Sequence, residues 1–264
     1  MGAAGGEFGG YLIDHEVGRG GHAVVYRAQH GADGRPVALK VLDERHRTPV
    51  EQARLDREFE FAREVDHPNV VTMYDRGEYW LAMQYVDGGK STRLRSLDDQ
   101  LTVLAQIADA LDCTHHRGIV HCDVKPANIL VPADFPTTGA VLVDFGVAHA
   151  VVEDVGRHQQ DPQVSLPYAA PEVLLGRAPS AASDEYALAC TAVELFTGTT
   201  PFTEANAAEM VDAQLHRAPP ALSREFDWLP KAFDVVLGRA IAKIPEVRYR
   251  SCTELVENLR RVLG

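Results

Sequence analysis

His121-Cys122-Asp123-Val124-Lys125-Pro126-Ala127-Asn128, followed by Asp144-Phe145-Gly146, is the stretch that decides how this chain is read. Asp123, Asn128 and Asp144 offer oxygen donors around a hairpin expected from two short apolar runs, 129–131 and 140–143. Hard oxygen ligands suit Mg²⁺, and a carboxylate beside them can take the proton of a nucleophilic hydroxyl. Lys125 adds positive charge for a phosphoryl group in transit. Singly, each of these is an ordinary polar loop residue. The ordered set is not, because two further elements precede it.

The first of these is Gly18-Arg19-Gly20-Gly21-His22-Ala23-Val24-Val25, between expected strands at 11–17 and 24–29. Dinucleotide fingerprints and P-loops both open a helix, so a strand–loop–strand setting disfavours both. Glycines let the backbone approach a phosphate closely; a plain hairpin turn is the alternative for this segment alone. The second element is Val37-Ala38-Leu39-Lys40 on the next strand, 36–42. An inward ammonium needs a carboxylate, since an unpaired buried charge is costly. Glu58 is the candidate, on a helix opened by a capping box, Thr48-Pro49-Val50-Glu51, and ended near residue 64 by His67-Pro68. The alternative has Lys40 in water and Glu58 on an ordinary helix surface.

Outward from these motifs, the 264 residues are 45% hydrophobic and 24% charged, as in a globular domain with a core of its own. A net charge of −12 argues against nucleic acid or an anionic membrane as partner. No run approaches the roughly 18 apolar residues of a membrane span. Cys113, Cys122, Cys190 and Cys252 form no CxxC pair, which points to a reducing, cytoplasmic setting. Residues 1–10 read as a flexible leader. A strand-rich lobe follows at 11–86, with further strands at 70–74 and 80–86 around a Gly77 turn. Residues 87–90 read as a linker and 91–264 as a helical lobe. In that lobe Leu101, Leu104, Ala105, Ala108 and Leu111 share one helix face. A central buried helix spans 184–196 and closes at Gly198, and Ser251-Cys252-Thr253-Glu254 caps a terminal amphipathic helix.

Taken together these motifs resemble the eukaryotic-like, or Hanks-type, serine/threonine protein kinases of bacteria, from about residue 11 to 263. The resemblance extends to Ala170-Pro171-Glu172, to Asp184 and to Arg248 as the partner of Glu172. It implies an α+β, protein-kinase-like two-lobed fold: a small antiparallel β lobe with one key helix, and a larger helical lobe. It also implies ATP and Mg as cofactors and a protein substrate with a Ser/Thr acceptor. On the resemblance, Val17, Gly18, Arg19, Gly20, Gly21, His22, Ala23, Val24 and Val25 cover the ATP phosphates. Lys40, held by Glu58, contacts the α- and β-phosphates. Met83 is the gatekeeper, the main chains of Gln84 and Val86 bind adenine, and Ala38 and Leu130 sandwich the ring. Asp123 accepts the hydroxyl proton, Lys125 steadies the transferred phosphoryl, and Asn128 and Asp144 hold Mg. The Asp-x-Lys-x-x-Asn spelling is the serine/threonine form. A scaffold with the fold but weak catalysis, and a small-molecule phosphotransferase, are the alternatives. The oligomeric state stays open.

Three departures stand out against the family. Ala23 replaces the third loop glycine, which costs little while its φ stays negative. Cys122 replaces the arginine that grips a phosphorylated activation loop, and Ser165 is the only hydroxyl residue from 147 to 167. Ser165 stands where the family has a threonine touching Asp123 and Lys125. The missing arginine and the nearly hydroxyl-free loop both imply activity without activation-loop phosphorylation. His115-His116, at a helix end, reads as a solvated pair that suits the helix dipole.

Overall fold

The computed structural model describes residues 6–150 and 165–264. Its first part is an antiparallel six-stranded sheet: β1 (Glu7–Phe8), β2 (Tyr11–Arg19), β3 (Ala23–His30), β4 (Pro36–Leu42), β5 (Met73–Gly77) and β6 (Trp80–Gln84). Their spatial order is β1-β2-β3-β4-β6-β5. Strand alternation divides the side chains between two faces. Leu39 and Val41 join Tyr11, Ile13 and Ala28 in a small outer core, while Lys40, between them, turns to the opposite face.

The helix α1 (Pro49–Glu64) starts where the sequence places it, with Thr48 Oγ1 accepting from the Glu51 N–H at 3.3 Å. Only half of the expected capping box forms. The Thr48 N–H donates to His46 O, and the Glu51 carboxylate turns to Arg54 and His22. The flexible leader is a correction within its described part. Glu7 pairs with Leu12 and Phe8 with Tyr11, so a backbone ladder holds this stretch; residues 1–5 lie outside the described residues. Val70 and Val71 are also not a strand. They lie against Leu142 of the helical part, Val70 as a parallel bridge, and β5 begins at Met73.

Residues 88–90 are not a linker. Gly88–Lys90 form β7, paired antiparallel with β9 (Ile129–Pro132), which pairs in turn with β10 (Val141–Leu142). A Cβ at Gly88 would lie 2.0 Å from Val131 O, so glycine is what admits this close approach. The chain therefore crosses between lobes at Tyr85–Asp87. The helical part holds α2 (Leu97–His116), β8 (Ile119–Val120), β11 (His149–Ala150), α3 (Pro171–Leu174), α4 (Ala181–Thr197), α5 (Ala207–His216), α6 (Lys231–Ala240) and α7 (Cys252–Leu263). The helix α4 is buried along most of its length and stops at Gly198, whose φ of 84° is left-handed. Ser251 caps α7 as expected, though Glu254 reaches back to the Arg250 N–H, not to Ser251. The helices α3, α5 and α6 are not among the expected elements, although Phe233, Val236, Leu237 and Ala240 of α6 share one helix face and Asn206 caps α5.

His115 corrects the solvated-pair reading. Its ring is only 10% exposed; Nε2 lies 2.8 Å from Asp184 and Nδ1 3.9 Å from Asp112. Asp112 in turn accepts the N–H groups of Cys252 and Thr253 at the start of α7. Only His116 faces solvent.

Candidate active site

The site is built where β4, α1 and the loops around β9–β10 meet. Register pairs Val25 with Lys40 and Val24 with Val41, so Val25 shares Lys40's face and Val24 does not. Lys40 Nζ donates to both Glu58 oxygens, at 2.9 and 2.7 Å, and to Asp144 Oδ1 at 3.1 Å. Burial opposes its charge, but Asp144 and Glu58 together hold the ammonium above its ordinary pKa. Burial pushes the Glu58 carboxyl upward, with Lys40 opposing it. Lys40 is the main influence keeping Asp144 low, and Asp144 therefore stays anionic. Gly146 makes room for this trio, since a Cβ there would sit 3.2 Å from Asp144 Oδ1 and 3.3 Å from Glu58 Oε2.

The loop after β8 is held in a sparsely populated backbone shape. Like Asp144 after β10, with φ of 69°, Cys122 in this loop has a positive φ, 67°, a cost that surrounding contacts must offset. Asp184, fully buried on α4, supplies them by accepting the N–H groups of His121 at 2.7 Å and Cys122 at 2.8 Å. His121 Nδ1 accepts from the Asp123 N–H, which assigns the ring proton to Nε2, facing Val143 O at 3.2 Å.

Asp123, so positioned, is the hub of a polar cluster. Lys125 Nζ lies 2.7 Å from Asp123 Oδ2 and donates to Ser165 Oγ at 2.8 Å. Ser165 Oγ donates to Asp123 Oδ1 at 2.8 Å. Asn128 Nδ2 donates to Asp123 Oδ2 at 2.8 Å and to its carbonyl at 2.9 Å. Ser165 thus stands where the sequence reading expects it. The rest of the expected activation loop, 151–164, lies outside the described residues.

A cavity of about 480 Å³ unites Gly20, Gly21, His22 and Ala23 with Lys40, Glu58, Asp123, Lys125, Asp144 and Gly146. Ala23 lies in β3 without a positive φ, so the missing third glycine carries no strain. The adenine-site expectation is met less completely. Ala38 lies on Lys40's strand opposite Met83, but neither lines this cavity; nor do Gln84, Val86 and Leu130. Gln84 and Val86 instead line a separate cavity of about 330 Å³ with Asp87 and Pro132. The Gln84 N–H is used by Thr72 O at 2.8 Å, which leaves its carbonyl as the group it can offer. Val24 is a correction: it faces an outer cavity with Ile13, Tyr26 and Val41. Arg19 is exposed and pairs with Glu16 and Asp43, outside the cavity lining.

Deeper in the helical lobe, Arg248 forms the expected pair with Glu172, two bonds of 2.8 Å. Sequence reasoning missed Ser183, which donates to Glu172 at 2.8 Å, and the contacts of His22 with His46 and Glu51.

An antiparallel sheet with one inward-facing helix, a helical lobe and a lysine–carboxylate–aspartate cluster between them define the protein kinase class. The chain belongs to the protein kinase domain family, whose profile matches residues 11–259. Among curated proteins it is 37% identical to serine/threonine-protein kinase PknF of Mycobacterium tuberculosis, over 99% of this chain and 58% of that protein. It is likewise 37% identical to serine/threonine-protein kinase PknJ of the same organism, over 96% of this chain and 45% of PknJ. The chain spans about half the length of the curated relatives it matches. Among solved structures, the M. tuberculosis PknI kinase domain aligns over 100% of both chains, with TM-score 0.79 and 32% identity. These likenesses, all to kinases of M. tuberculosis, agree with that family assignment. Among the described residues no helix is long and apolar enough to cross a membrane.

Proposed function

We propose that this chain transfers the γ-phosphate of ATP to serine or threonine hydroxyls of proteins, and does so without phosphorylation of its activation loop. The observation that carries the reading is the interlocked Asp123–Lys125–Ser165–Asn128 cluster, facing Lys40 across one cavity. In this scheme the acceptor oxygen attacks the γ-phosphorus, the bond to the ADP oxygen breaks, and the hydroxyl proton passes to Asp123. Lys125 balances charge on the transferred group, and Lys40 anchors the α- and β-phosphates.

The donor set fits Mg²⁺. Asp144 is anionic and 43% exposed, and Asn128 spends its N–H groups on Asp123, so its amide oxygen is the atom left for a cation. Bound there, the ion would neutralise phosphate charge. Adenine would lie between Ala38 and Leu130, beside Met83, with the Gln84 carbonyl and the Val86 N–H as its polar contacts.

Independence from phosphorylation rests on Cys122, which has no charge with which to grip a phosphate, and on Ser165, already engaged with Asp123 and Lys125. The test compares labelled-ATP turnover on a generic protein substrate before and after phosphatase treatment, with Mg²⁺ and an Asp123→Ala control. Equal rates before and after, lost in the control, are expected. A rate lost with phosphatase and regained on rephosphorylation within 147–167 overturns the phosphorylation claim. No turnover by the parent chain overturns the activity.

A further inference from the structure

His22 lies at the tip of the glycine-rich loop and lines the cavity. Its ring packs on that of His46, with centroids 4.4 Å apart and planes inclined by 30°. His46 Nδ1 is buried with no hydrogen-bond partner among the described residues, so the ring contact is what this side chain gains. His22 Nδ1 also lies 3.4 Å from Glu51 Oε2, while Arg54 holds the other Glu51 oxygen at 2.9 Å. The His22 carbonyl accepts the Asp43 N–H at 2.9 Å. The loop tip is therefore joined to both the segment before α1 and the first turn of α1.

Spacing turns this junction into a linkage. Glu51, Arg54, Leu55 and Glu58 all line the cavity, at the i, i+3, i+4 and i+7 spacing of one helix face. A helix this short moves as a rigid rod, so a displacement at Glu51 reaches Glu58 and hence Lys40. We propose that His22 is a positioning residue that ties the glycine-rich loop to α1. Closure of the loop over nucleotide and inward seating of Glu58 are then one motion. The inference rests on the ATP reading above.

The test follows binding and release of a fluorescent ATP analogue, together with hydrogen exchange at residues 49–58. It uses the parent chain, His22→Ala, His46→Ala, the double variant and His22→Phe. Nucleotide should slow exchange of α1 in the parent. In His22→Ala the analogue should still bind but leave about fivefold faster, and α1 should lose its nucleotide-dependent protection. The double variant should be little worse than either single one, because both remove the same contact. His22→Phe, which keeps a ring for His46, should recover part of the release rate. Undiminished α1 protection in His22→Ala, or additive single effects, overturns the coupling alone. A parent chain that binds no analogue overturns the nucleotide reading instead.

Discussion

Two of the buried glutamates among the described residues, Glu58 and Glu172, are paired with long cations, and the two pairs do different work. Lys40–Glu58 joins a strand to a helix at the edge of a cavity, with the lysine side chain 17% exposed and shared with Asp144. Arg248–Glu172 is sealed in the helical lobe, the arginine side chain at 0% exposure. Arg248 also donates to Ala182 O and Ala242 O, and Ser183 adds a bond to Glu172. Lysine presents one compact charge that three carboxylate oxygens can share, and that a phosphate can compete for. Arginine's planar fork fixes one carboxylate in one orientation. The first pair is built to exchange partners and the second to hold them, so under the proposed function one serves catalysis and the other the fold.

The comparison breaks most visibly at Lys40. Lys40→Met should lower phosphoryl transfer by about a thousandfold while calorimetry still shows a cooperative melt, because Glu58, whose pKa burial already raises, can take up a proton once its partner is gone. Arg248→Ala should do the opposite. It strands Glu172 in the interior and should cost about 3–5 kcal/mol in urea unfolding. Burial works against the charge of Glu172, but Arg248 and Ser183 outweigh it and hold the carboxyl below its ordinary pKa. That contribution is present above the unfolded-state pKa and should fade as pH falls toward the lowered folded value, more steeply in the parent than in Arg248→Ala.

Ser165→Ala sharpens the catalytic side. It removes the hydroxyl shared by Asp123 and Lys125 and should reduce kcat about tenfold with little change in the KM for ATP. The smallest effect belongs to Glu185, a third carboxylate beside the sealed pair. It is 1% exposed, and neither oxygen has a well-formed hydrogen bond among the described residues. Burial raises its pKa well above the usual value, with Arg248 only tempering this. A raised folded pKa means stability that is intact below the unfolded value and lost as pH rises through the folded one. Glu185→Gln should therefore be more stable than the parent at neutral and alkaline pH, by about 1 kcal/mol. The gap should close near pH 4, a crossover that thermal melts across pH would show.

The order of motifs along the chain was enough to determine the fold family and to pick out the residues that meet in the candidate site. Lys40, Glu58, Asp123, Lys125, Asn128 and Asp144 were all legible because they stand in the order that the family's motifs have, and the structure brings them together. Strands of alternating apolar residues and helices with capping residues were legible for a local reason: neighbours in sequence decide them. Tertiary structure alone decided the rest. Gly88–Lys90 is a strand only because β9 lies beside it, and His115 has its carboxylate partner only because α4 carries Asp184 to it. Val24 faces away from the cleft because register with Val41 sets its side, which no pattern of valines reveals. His22, His46 and Glu51 look unrelated in sequence, and their junction exists only where a loop folds back over a helix start. Contacts between distant segments depend on how whole elements pack, and a residue's chemistry does not announce what will be brought against it.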